Sequence, residues 1–220
     1  MTTEIPGMQQ VLDFVERHQK NGILSTGAQP VNFSGDLYNV DGSTHDPKRI
    51  PGHDGMAWKR LLEVNGIGGN CYVTNPNPEG SHPDFSVGGH MTTDPTGYVP
   101  TGGICYLMPL CFWHNGKKND GVRFTHNNTA MLKLTGYNQG ELAATFQLRL
   151  PSKMPYAVLY HSEEGWQYQD ISEDEAKNIK ADFIPKIKSG KEAHYVLFER
   201  VHGADTLHYI RDVNLPGAKH

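Results

Sequence analysis

Two stretches decide how this chain is read: Val87-Gly-Gly-His90-Met91 and Cys105-Tyr-Leu-Met-Pro-Leu-Cys111-Phe-Trp-His114-Asn115-Gly-Lys117. The first is an apolar, strand-like run that reaches a histidine. The second is an apolar run, Ile104 to Leu110, that leads directly into a Cys-x-x-His pair. Strand signals over 85–91 and 104–110 with the turn-rich D-P-T-G-Y-V-P-T-G-G between them predict two strands close in sequence. Residues 111–118 are expected to begin a short helix. Cys111-x-x-His114 is the sole C-x-x-H of the chain, and Cys71-Tyr-Val-Thr-Asn75 precedes it.

Thiolate and imidazole are the preferred ligands of zinc, often supplied as a short pair from one turn. Cys111 and His114 form such a pair, and one pair is half a site. Cys71 is the candidate third ligand and His82 a weaker fourth. Cys105, inside the apolar run, reads as a small core hydrophobe. His90 has three readings: a strand-end side chain bonded to the backbone, a general base, or a metal ligand. Phe112-Trp113 reads as core, with a stacking platform for a nucleobase as the functional alternative.

The order of these parts resembles the HNH, or ββα-metal, nuclease module, in which a strand bears a general-base histidine and a second strand leads to a helix with a cysteine knuckle. The resemblance is to HNH-like proteins with a pattern of the type G-[AG]-H-[VM]…P-L-C-x-x-H-N, with Trp58 and Gly66 matching an upstream Trp and Gly. It covers about a quarter of the chain. It implies an α+β fold with an HNH-like ββα element, His90 as base and Asn115 as the metal-binding or orienting residue. It also implies Cys111 and His114 as half of a zinc knuckle, with Cys71 the candidate third ligand. Zn2+ is the implied ion, with Mg2+ as a second possibility at the catalytic position, and nucleic acid the implied partner.

The departures from that pattern are specific. Nucleases of this kind place Asp or His just before the base, and this chain has Gly89. Their first knuckle half is a second C-x-x-C, and here Cys71 has no close partner. Without a carboxylate beside His90, an ion would need Asn115, His126, Asp84 or Asp94. The chain is therefore expected to be a metal-dependent nuclease or a catalytically degenerate relative. The alternative is a non-catalytic protein- or ligand-binding module, stabilised by zinc or by packing alone. A small-molecule enzyme or carbohydrate binder with a pocket away from His90 is a third class.

Composition bounds these readings. The chain has 220 residues, 37% of them apolar, with 24 Gly and 14 Pro, which suits a loop-rich protein of one or two domains. No apolar run approaches the roughly 18 residues of a membrane span. The formal charge is −4 and only Lys117, Lys118 and Arg123 cluster near the suspected site. A duplex-gripping basic stripe is missing. Three cysteines cannot make a full disulfide framework. The first residues, Met1-Thr-Thr-Glu-Ile-Pro, lack the basic and apolar regions of a secretory signal, so a cytoplasmic setting with reduced thiols is expected.

Elsewhere the pattern predicts a helix over 7–20 from Met8, Val11, Leu12 and Val15, and a helix over 55–64 begun by Asp54. Residues 25–53 read as loop with a short strand near Val31–Phe33. Residues 155–213 read as a β-β-α-β-β extension whose helix starts at the capping box Ser172-Glu-Asp-Glu175. The expected domains are 1–150, holding the HNH-like region, and 151–220.

Overall fold

A computed structural model describes residues 5–41, 58–77, 85–183 and 193–217. The predicted cap at Asp54 and the candidate ligands His82 and Asp84 lie outside the described residues. The chain is α+β and divides into two units. Of the described residues, the terminal unit takes 5–26, 141–183 and 193–217. The central unit takes 27–41, 58–77 and 85–140. The N-terminal helix thus belongs with the C-terminal elements, and residue 151, the expected boundary, falls within the terminal unit.

In the terminal unit the elements are α1 (Met8–His18), β1 (Ile23–Leu24), α3 (Ala143–Leu148), β7 (Tyr156–Ser162), β8 (Gly165–Ile171), α4 (Glu173–Lys177), β9 (Tyr195–His202) and β10 (Thr206–Asn214). The strands form one antiparallel sheet in the order β1-β10-β9-β7-β8. Alternation along the strands splits its core in two. Ala157, Leu159, Val196 and Phe198 meet Val11, Phe14 and Val15 of α1 and Leu148 of α3. Val158, Tyr195 and Leu197 meet Ala176, Ile179 and Phe183. The capping box is formed in full: Ser172 Oγ accepts from Glu175 N–H at 3.3 Å, and Glu175 Oε2 accepts from Ser172 N–H at 2.8 Å.

In the central unit, β2 (Gly27–Phe33), β3 (Tyr38–Asn39), β4 (Val87–Thr92), β5 (Gly103–Leu110) and β6 (Thr129–Tyr137) make an antiparallel sheet in the order β2-β6-β5-β4-β3, with α2 (Trp58–Val64) beside β4. β2 is longer than the turn-rich composition of 25–53 suggested. It lies on the sheet edge, where Pro30 is tolerated. β4 and β5 pair antiparallel as expected, Gly89 opposite Met108 and His90 opposite Leu107. The strand does not stop at His90; it continues to Thr92.

The helix expected over 111–118 is not formed, so the structure does not show an HNH ββα element. One turn closes from Asn115 N–H to the Cys111 carbonyl at 3.1 Å. Gly116 then turns extended, with φ −85° and ψ 151°, and only a three-residue 3-10 turn, Lys117–Asn119, follows. The Asn-Gly pair interrupts helical propagation here, and no apolar stripe at helical spacing follows it to hold a longer helix on the core.

Candidate metal centre

The two faces of the central sheet carry different residues. Cross-strand partners share a face, and successive residues alternate. Met91, Met108, Leu110 and Met131 point to one side, where they pack with Leu37, Val73, Phe124, Cys71 and Cys111. His90 points to the other side with Leu107, its partner across the ladder.

On the first side the chain gathers three ligand groups. Cys111 directly follows the last residue of β5, Leu110. His114 is brought back over it by the turn closed at Asn115. Cys71 arrives on the irregular stretch that follows α2, after Gly66 and Gly69 take left-handed φ values of 74° and 97° that favour glycine. The Cys111 Sγ lies 3.2 Å and the Cys71 Sγ 3.4 Å from the same atom, His114 Nδ1. All three ligand atoms lie within 4.8 Å of one another, and all three side chains are buried.

The imidazole is held in the form a ligand requires. His114 Nε2 lies 3.2 Å from the Asn75 carbonyl. A carbonyl only accepts, so Nε2 carries the proton and Nδ1 presents its lone pair to the two sulfurs. Asn75 is itself fixed: its Nδ2 donates to the Arg123 carbonyl at 3.0 Å, and its Oδ1 accepts from Thr125 N–H at 2.7 Å. Asn39 Nδ2 donates to the His114 carbonyl at 3.0 Å, and the His114 amide donates to the Cys111 sulfur at 3.5 Å. Burial pushes the Cys71 thiol up to about 11, opposed by the backbone amides of Cys111 and Val73 aimed at its sulfur. A cation among these groups would reverse that balance.

Two sulfurs and one imidazole nitrogen form a soft donor set. It fits zinc. Mg2+ asks for oxygen ligands in an octahedron and does not fit. Among the described residues this is the one group of three metal-capable side chains. The other ion holders considered stand elsewhere. His126 bonds Thr129 Oγ1 through Nδ1 at 3.1 Å and stacks on Phe33. Asp94 is spent on a local turn with Thr96.

The expected catalytic pair is not assembled. His90 is 1% exposed. Its ring packs edge-on against Trp58 at 4.4 Å and beside Tyr137 at 4.7 Å. Asn115 lies on the opposite face: a Cβ at Gly89 would fall 2.7 Å from Asn115 Oδ1 and 2.3 Å from Leu110 Cδ1. Because Gly89 and His90 are neighbours on a strand, they face opposite ways. His90 and Asn115 therefore share no cleft. The same measurement explains Gly89 in physical terms: Asn115 and Leu110 fill the volume that a carboxylate at position 89 would need.

Of the five residues expected at the site, Cys71, Cys111 and His114 come together, and His90 and Asn115 do not. Phe112 is 63% exposed, so it is not core; Trp113 is half-buried beneath the Lys118 ammonium at 4.9 Å. Asn75 and Asn39 were not legible as site residues. T-N-P-N-P reads as a turn, and only the fold brings Asn75 to His114. No family model, curated protein or solved structure matches the chain.

Proposed function

We propose that this protein is a zinc-stabilised module without nuclease chemistry, a degenerate relative of the HNH-like proteins that residues 87–115 resemble. Its Cys71, Cys111 and His114 hold the ion, which supplies cross-linking of two chain segments rather than activation of water. The observation that carries this reading is the convergence of both thiols on a His114 nitrogen whose partner nitrogen is already tied to a backbone carbonyl. The outer bond orients the ring and raises its basicity, and the burial of all three donors sets the ion apart from bulk solvent. Zinc joining the Cys71 stretch to the turn that follows β5 would contribute to folding directly.

Against catalysis stand the burial of His90, its separation from Asn115 by the sheet, and the filled space at Gly89. The β4–β5 register is the feature that favours the nuclease reading, since it sets the base-bearing strand beside the strand that enters the knuckle. The two readings part in one experiment. Protein purified without chelator is analysed for metal and then incubated with single- and double-stranded nucleic acid plus Mg2+, Mn2+ or Zn2+. The module reading expects one zinc per chain, its loss in His114→Ala, and no cleavage. Cleavage that disappears in His90→Ala would establish the nuclease instead.

A further inference from the structure

We infer that Cys71 and Cys111 form a reversible dithiol–disulfide centre, and that oxidation of this pair by a hydroperoxide is the signal that empties the metal site. The inference deepens the zinc reading and rests on it for the metal-release half. The redox half stands on the positions of the two sulfurs.

Both sulfurs lie against one imidazole nitrogen and within 4.8 Å of each other. A disulfide of about 2.05 Å requires each to move about 1.4 Å at most. Cys71 can accommodate that shift, because residues 71–74 belong to no helix or strand. Each cysteine is 7% exposed, and each has an exposed neighbour in sequence, Tyr72 and Phe112, so the pair sits just beneath the surface. Cys105 provides the contrast. It is fully buried and lies on the His90 side of the sheet, since residues of β5 alternate and Cys105 shares Leu107's face. Cys105 therefore lies across the sheet from the Cys71 and Cys111 sulfurs.

The chemistry balances with the peroxide as the sole co-reactant. One cysteine sulfur attacks a peroxide oxygen, the O–O bond breaks, and hydroxide leaves; the product is a sulfenic acid. The second sulfur attacks that sulfur, the S–S bond forms, the S–O bond breaks, and a second hydroxide leaves. With zinc bound both sulfurs are thiolates and solvent supplies the two protons that convert the hydroxides to water; in the metal-free centre the two thiol protons do so. Two electrons pass from the sulfurs to the peroxide. A disulfide offers no thiolate, so the oxidised centre retains one of its three ligands and cannot hold zinc. A dithiol reductant reverses the bond by exchange.

The test is titration of the purified full chain with hydrogen peroxide, with free zinc followed by a chromogenic indicator and the product by intact mass and peptide mapping. The expected result is loss of two hydrogens, a Cys71–Cys111 link, one zinc released per link, and recovery of both thiols and zinc binding after dithiothreitol. Cys105→Ala should respond as the wild type does, and Cys111→Ser should form no link. Should Cys111→Ser not fold, peptide mapping of the wild type decides alone. Zinc retained under peroxide, or a product that is a sulfinic acid or a link through Cys105, would overturn the inference while leaving the zinc reading intact. If the untreated protein contains no zinc, the zinc reading fails. The peroxide product then decides the rest: a Cys71–Cys111 link supports the redox pair, and two unmodified thiols overturn it.

Discussion

The terminal and central units solve the same problem, a polar interior, in opposite ways. The terminal unit closes its charges on themselves. Arg149 and Glu141, both nearly inaccessible, are bonded at 3.0 Å through Nε, and Arg149 Nη1 donates to the Leu24 carbonyl. Arg200 donates to Asp170, to the carbonyls of Met154, Tyr156 and Leu148, and to His208 Nε2. The central unit buries two thiols and an imidazole whose lone pair faces both sulfurs. That cluster makes sense as a receptor for a cation. The comparison teaches that the terminal unit pairs its buried charges within the chain, whereas the central unit gathers a buried donor set close enough to bind a metal ion.

The largest break in that comparison should come from removing metal. In an excess of zinc of about 1,000 times its dissociation constant, the bound ion adds roughly 4 kcal/mol to stability. Chelation, or His114→Ala, should remove that increment. Hydrogen exchange should report the loss in β4, β5 and β6 while β9 of the terminal unit keeps its protection. Equal loss in both units would break the contrast.

The terminal unit should fail through its ion pairs instead. Arg149→Met leaves Glu141 buried without its cation and should cost about 3–5 kcal/mol in denaturant unfolding. Replacing both Arg149 and Glu141 by apolar residues of similar size should recover much of that. A single substitution as mild as the double would mean that the pair is not isolated from water.

Acid should also act on the terminal unit. Burial first, and the Arg200 charge second, lower His208 from 6.5 to about 4. The Ile23 carbonyl faces its Nδ1 at 3.3 Å, and Arg200 Nε donates to Nε2, which fixes the neutral ring. Unfolded, the imidazole titrates near 6.5. Above that pH neither state is protonated and the stabilisation is complete. As pH falls from 6.5 towards 4 the unfolded chain takes up a proton that the folded chain refuses, so stability drops. The full loss is about 3 kcal/mol. His18, lowered to about 4 by partial burial, acts in the same sense. His208→Gln should flatten the profile measured by thermal unfolding between pH 7 and pH 4; an unchanged profile would exclude His208 as its source.

Smaller effects sharpen the picture. Gly89→Ala places a methyl against Leu110 and Asn115 and should cost about 1–3 kcal/mol, since part of the clash must be relieved by backbone movement. Ser172→Ala should cost about 1 kcal/mol by removing the cap of α4. A stabilised Gly89→Ala would mean that Asn115 moves freely, and the argument that position 89 is filled would fall.

Legibility followed the range of the interactions. The β-β-α-β-β pattern from Tyr156 to Asn214 was readable because its signals are local: alternation within each strand and Ser172 three residues from Glu175. The β4–β5 pairing was readable for the same reason. The 111–118 helix was misread because the Cys-x-x-His spacing suits a knuckle turn as well as a helical turn, and Gly116 settles it for the turn. The association of α1 with residues 141–217 has no local signal, because apolar periodicity marks a buried face without naming what covers it. Cys71 joined Cys111 and His114 as the residue types suggested. The placement of His90 and Asn115 on opposite faces has a definite physical origin. Spacing along the chain shows that a strand and a turn are close, but a pleated strand sends neighbouring residues to opposite faces. Which face His90 takes depends on Trp58 and Tyr137, both distant in sequence.

The most direct test of the central claim is native mass spectrometry of chelator-free protein combined with zinc X-ray absorption. The account predicts one zinc per chain, with two sulfurs at about 2.3 Å and imidazole nitrogen at about 2.0–2.1 Å, and loss of the ion in Cys111→Ser. A fully folded chain that carries no zinc and takes none up when it is offered would contradict it.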